Sequence, residues 1–70
     1  MNGPELLAAV MLRELKKKAD AEEKTADELY TKMQIAGSGP TAKYLSEEMK
    51  KHRYAAAEFR KLAKQMEEKQ

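Results

Sequence analysis

The sequence predicts an all-α fold: an antiparallel helical hairpin of two long helices that assembles further into a helical bundle. Three observations predict it. On the first half, Ala8, Leu12, Leu15, Ala19, Glu22, Ala26, Leu29 and Met33 follow one another at alternating steps of four and three. On the second half, Ala42, Leu45, Met49, His52, Ala56, Phe59, Ala63 and Met66 do the same. Between the two series lies Gly37-Ser38-Gly39-Pro40, while residues 5–36 contain no glycine or proline. Steps of three and four draw one stripe along an α-helix, and two such stripes pack as a heptad seam. Folding the chain at the glycines sets the stripes face to face.

Helix 1 is expected over about residues 3–36. Asn2 and Glu5 have capping-box spacing, with Asn in place of the usual Ser or Thr. Pro4 fits a first turn, where its missing N–H costs nothing. Gly37 can take the left-handed conformation that ends a helix. Residues 37–40 form the turn. Helix 2 is expected over about 40–68, with Pro40 in its first turn and Glu47 and Glu48 near its positive end. At about 1.5 Å per residue, each helix is roughly 45 Å long. Glu14 and Lys18, Asp20 and Lys24, Glu28 and Lys32, and Glu47 and Lys51 are each four apart, acid first. That order supports a helix by a few tenths of a kcal/mol per pair.

Size matching sets the register. A turn centred between Ser38 and Gly39 places Met33 opposite Leu45, Leu29 opposite Met49, Ala19 opposite Phe59, and Leu15 opposite Ala63. Large residues then face small ones, which fills a seam without voids. Charge agrees. Asp20, Glu22, Glu23, Asp27 and Glu28 come level with Lys50, Lys51 and Arg53, and opposite charges beside a seam favour one register over its neighbours.

The 70-residue chain reads as a single helical-hairpin domain. It has no cysteine and one histidine, so disulfides, thiolate metal sites and multi-histidine sites are excluded within one chain. Charged residues are 37% of the chain, yet apolar ones recur periodically, a pattern of exposed helix rather than disorder. Leu6 to Leu12 is the longest apolar run, far below the ~20 residues that span a bilayer. It lacks the basic segment that precedes a signal sequence. A soluble, cytoplasmic protein with no membrane partner is the expectation.

A hairpin this small buries one seam and leaves other apolar groups wet. Leu6, Leu7, Val10 and Met11 point in several directions around helix 1. Ala55, Phe59, Leu62 and Met66 draw a second stripe on helix 2. Wide apolar faces belong to bundle helices. Leu6, Leu7, Val10, Met11, Leu62 and Met66 are therefore the candidate interface of a homo-oligomer, most simply a dimer of hairpins with four helices.

No catalytic constellation is present. Glu22 and His52 are the polar seam residues, about one helical turn apart in this register, and Glu48 precedes His52 by four. A carboxylate beside a histidine can serve acid–base or metal chemistry. A polar pair inside a seam more often holds register, and that is the reading here. The Glu-x-x-His spacing of di-metal bundles is absent. Ser38 and Ser46 have no base other than His52. The glycine loop lacks the Gly-Lys-Ser/Thr ending of a phosphate loop. No catalytic residue, metal or cofactor is assigned. Leu45-Ser46-Glu47-Glu48-Met49-Lys50 resembles the Ser-x-x-Leu-Asp pattern of sporulation-type aspartyl-phosphate phosphatases, which are also small helical hairpins. Lys50 stands where that family has its acid and helix 2 continues further, so no function is carried over.

Two surfaces remain. Arg13, Lys16, Lys17 and Lys18 come level with Arg60, Lys61 and Lys64. Residues 13–18 and 58–64 hold seven basic against two acidic side chains, in a chain of net charge +2. This belt is a candidate anion site. No aromatic residue interleaves it, which argues against general nucleic-acid binding. Tyr30 and Tyr44 near the turn, and Tyr54, form a candidate partner surface. The leading expectation is a non-catalytic adaptor or inhibitor that binds a partner protein as a homo-oligomer. The alternative is an oligomer that sequesters an anionic nucleotide between hairpins. In size and architecture the chain resembles small phage-encoded sponges of immune signals, which implies a host cytoplasm. Weak RNA or DNA binding by the belt is the third expectation.

Overall fold

The computed structural model describes residues 3–69. The proposed capping residue Asn2 lies outside them. Two helices, α1 (Gly3–Ala36) and α2 (Pro40–Glu68), pack against each other along their length as an antiparallel hairpin. Its Cα extents are 54 × 15 × 11 Å.

The turn is built by its glycines. Gly37 has φ of 76°, and its N–H donates to the Met33 carbonyl at 3.0 Å. This is the single-bond left-handed helix stop, in which one residue without a Cβ satisfies an end carbonyl. Gly39 has φ of 104° and caps α2 through its backbone alone, its carbonyl accepting from Lys43 N–H at 3.1 Å. Pro40 occupies the first helical position, where no N–H is needed. Two positive-φ residues within three positions reverse the chain tightly enough for the helices to pack from their first turns.

Every residue of the two heptad series is buried or half-buried. The fully enclosed positions are all alanines: Ala19, Ala26 and Ala56 at 0% exposure, then Ala63 and Ala42. No larger side chain is fully buried. Leu12, Leu15, Leu29, Leu45, Met49 and Phe59 are half-buried, each with one side on the seam and the other wet. The cause is geometric. Two helices enclose only the line between them, and at close approach that line admits a methyl group and little more.

The intrahelical ion pairs expected from sequence do not form. None of the four acid–base pairs spaced by four closes, and Lys51 bonds Glu48 at 3.3 Å, three residues back. Exposed pairs of this kind are worth little, and solvated rotamers compete with them. What holds the two helices together is the seam and the charges that cross it.

The packing generates a stability contrast. Ala56→Leu should destabilise the hairpin by about 1–3 kcal/mol, because a fully enclosed methyl site has no room for three more carbons. Tyr54, 70% exposed, should tolerate Ala within about 0.5 kcal/mol. Thermal melts followed by circular dichroism check both; an unchanged Ala56→Leu melt would refute the close approach.

Candidate functional site

The polar groups of the hairpin are arranged around one buried line. Glu22 and His52 sit on it. Nδ1 of His52 donates to Oε2 of Glu22, and the two side chains are 34% and 30% exposed. The register expected from the turn puts them about a helical turn apart, but both side chains lean along the seam and meet. Glu48 does not join them, because it holds Lys51. With a single carboxylate on a single imidazole, the pair has no third group to orient it for proton transfer. Among the described residues, no three metal-ligating side chains converge. The arrangement satisfies two polar residues in a seam that otherwise has only apolar partners to offer.

Beside the seam, one flank carries a ladder of charges. Arg53 reaches Glu23 at 3.5 Å and Asp27 at 3.3 Å. Arg60 reaches Asp20 at 3.4 Å and Glu23 at 3.3 Å. Lys16 closes the ladder on Glu67 at 2.9 Å. The acidic block of α1 is thus neutralised from α2, as its composition suggests, but by different residues. Arg53 contributes as expected. Lys50 and Lys51 make no interhelical pair, and Arg60, read from sequence as part of the belt, is committed to the acids. The guanidinium fork spans two carboxylates at once, which an ammonium cannot match.

The belt therefore divides. Lys16 and Arg60 are engaged in ion pairs, whereas Arg13, Lys17, Lys18, Lys61 and Lys64 make none. Lys16, Asp20, Arg60, Ala63, Lys64 and Glu67 line a shallow open groove of about 330 Å³ at the level of the belt. Three cations and two carboxylates share it, so its field is far weaker than a count of lysines suggests. Glu67 is the residue that sequence reasoning missed. The register that pairs Ala19 with Phe59 puts Lys16 level with Leu62, five residues before Glu67, so it is the reach of two long side chains that brings this pair together.

The apolar candidates are exposed where they were expected. Leu6, Leu7, Val10 and Met11 are 45–60% exposed and Leu62 is 47% exposed. Met66 differs, being half-buried within the hairpin's own seam. Val10, Met11, Glu14, Leu15 and Lys18 line a second open depression of about 240 Å³. At the other end, Tyr30, Tyr44 and Ile35 are exposed, Ile35 by 82%, while Tyr54 stands further along α2. No helix among the described residues is long and apolar enough to cross a membrane.

Comparison with known proteins finds no matching family model, no similar curated sequence and no similar solved structure.

The seam pair generates a double-mutant test. His52→Leu should cost about 1 kcal/mol, because it leaves the Glu22 carboxylate half-buried without its donor. Adding Glu22→Leu should recover that loss, since an apolar pair fits the seam at least as well. Denaturant melts of the two single variants and the double variant measure the coupling; purely additive losses would mean that the contact contributes nothing.

Proposed function

We propose that this chain is a non-catalytic binding module that acts as a homo-oligomer and presents helical surfaces to a partner protein, as an adaptor or inhibitor. One observation carries the reading: the hairpin exposes the apolar surface that a small domain normally buries. Its accessible surface is 5432 Å² for 8.0 kDa, against roughly 4,500 Å² for a compact monomer of that mass. The elongated 54 × 15 × 11 Å outline accounts for such a surface, and Leu6, Leu7, Met11 and Leu62 are among the large apolar side chains exposed on it. Each aliphatic side chain that an assembly buried would contribute roughly 1.5–3 kcal/mol. Tyr30, Tyr44 and Tyr54 supply the amphipathic anchors that a partner surface uses.

Sedimentation at micromolar concentration should show a dimer or tetramer, and Leu7→Lys with Met11→Lys should dissociate it while helix content is retained. A single 8.0 kDa species for the unaltered chain would end this reading.

The five unpaired cations favour a second reading, in which the belt binds an anion. An anionic nucleotide held between hairpins should bind with a shallow salt dependence, because enclosure adds to charge. RNA or DNA binding should instead fall steeply with salt through counterion release. Lys17→Glu with Lys61→Glu should abolish either, since neither residue has an internal partner to lose. Titration of a nucleotide panel and a short duplex at two salt concentrations measures this; binding unchanged by both reversals would make the belt solvated surface.

A further inference from the structure

The two flanks of the hairpin are chemically different. All the interhelical ion pairs outside the seam lie on the flank of Lys16, Glu23, Arg53 and Arg60, with Asp20 and Asp27 at its edge. Among the described residues, no ion pair crosses the opposite flank. Helical phase places a second heptad series of each helix there. On α1 it begins with Leu7 and Met11, has Ala21 and Thr25 in the middle, and ends with Lys32 and Ile35. On α2 it runs from Tyr44 and Glu48 through Ala55 and Glu58 to Leu62. Between the ends, small residues alternate with the charges Lys18, Glu28, Lys51 and Glu58. The Thr25 hydroxyl donates to the Ala21 carbonyl at 3.1 Å, back into its own helix, which leaves its methyl as the outward group. Both ends carry large exposed apolar side chains: Leu7, Met11 and Leu62 at the open end, Ile35 and Tyr44 at the turn.

Resting on the self-association proposed above, we infer that a second copy packs on this flank about a two-fold axis parallel to the helices. The two open ends then coincide, and α1 of each copy lies antiparallel on α2 of the other. Area and charge carry the inference. The flank's 54 × 15 Å Cα outline is close to the ~800 Å² per partner of a standard stable interface. An axis along the hairpin keeps every residue at its own level and exchanges α1 for α2. Lys18 of one copy then meets Glu58 of the other, Glu28 meets Lys51, and Lys32 meets Glu48. Ile35 meets Tyr44, and at the open end Met11 and Leu62 come within about five residues of each other in level, roughly 7 Å along the axis. Each contact occurs twice by symmetry.

The alternative axis, perpendicular to the helices, is also isologous but fits poorly. It lays α1 on α1 and α2 on α2, head to tail. Leu7 would then face Lys32 and Met11 would face Glu28, while Leu62 would fall on Ala55. Apolar anchors would be spent on charges, and those charges would be desolvated without partners. The charged flank is no better, because its carboxylates and guanidinium groups are matched across the seam within one chain, whereas on the proposed flank only Glu48 and Lys51 among the described residues are paired, along one exposed helix edge.

The test uses the full chain, which has no cysteine of its own. Spin labels on Ser38→Cys, at the turn, report the direction of packing. The inference expects the two labels within roughly 25 Å, since bundle helices pack 8–10 Å apart. A separation near the 54 Å hairpin length would overturn it in favour of head-to-tail packing. Lys18→Glu should weaken the dimer by at least roughly tenfold, because each like-charge contact occurs twice. Adding Glu58→Lys should restore it, while Lys24→Glu, which faces away from both seams, should leave the dissociation constant unchanged. Circular dichroism of each variant confirms that the hairpin stands. A dimer indifferent to Lys18→Glu, or not restored by the paired reversal, refutes this flank alone. A chain that is only monomeric removes the self-association beneath it.

Discussion

The close antiparallel approach of two helices over enclosed alanines is the constraint on which the rest depends. Ala19, Ala26, Ala42, Ala56 and Ala63 let the backbones come together. Dispersion and burial along that line replace the compact core that 70 residues arranged as two helices cannot build. The same approach sets which side chains can reach across. It brings Arg53 and Arg60 within bonding distance of acids on the other helix. It also brings Glu22 and His52, both half-buried on the seam, into a hydrogen bond.

That economy has a consequence. A seam of methyl groups stabilises less than a packed core of leucine and phenylalanine, and here the leucines stay half wet. The residual apolar surface is therefore a thermodynamic feature of the hairpin rather than an accident at one end. Function and assembly are coupled in such a molecule: surface covered by a second copy is withdrawn from any other partner, and the surface left over defines what can bind. One flank carries the charges matched across the seam; the other has, among its described residues, exposed apolar side chains at its ends and charges with no partner across the seam.

The basic residues follow the same logic of supply. Seven cations in the belt region look like one field in the sequence, but the fold spends Lys16 and Arg60 on carboxylates. The remaining cations stand around the open end without internal partners. Their charge is screened over about 8–10 Å at physiological ionic strength, so only a ligand that touches several at once would feel them as a group.

Much of the fold was legible in the residues. The alternating steps of three and four, the glycine–proline turn and the uninterrupted run from residue 5 to 36 determined two helices, their ends and their antiparallel pairing. They determined these because helical periodicity and turn chemistry are local. The hairpin's seam, residue by residue, was also legible, since each of its positions is withdrawn from solvent. Most of the candidate site was legible only as composition. Which arginine takes which acid, and that Glu67 answers Lys16, were decided by tertiary structure, whereas the Glu22–His52 pair was readable from the two polar positions of the seam. Long side chains reach several ångströms along the axis, so heptad arithmetic places a Cα but not the charge at its end.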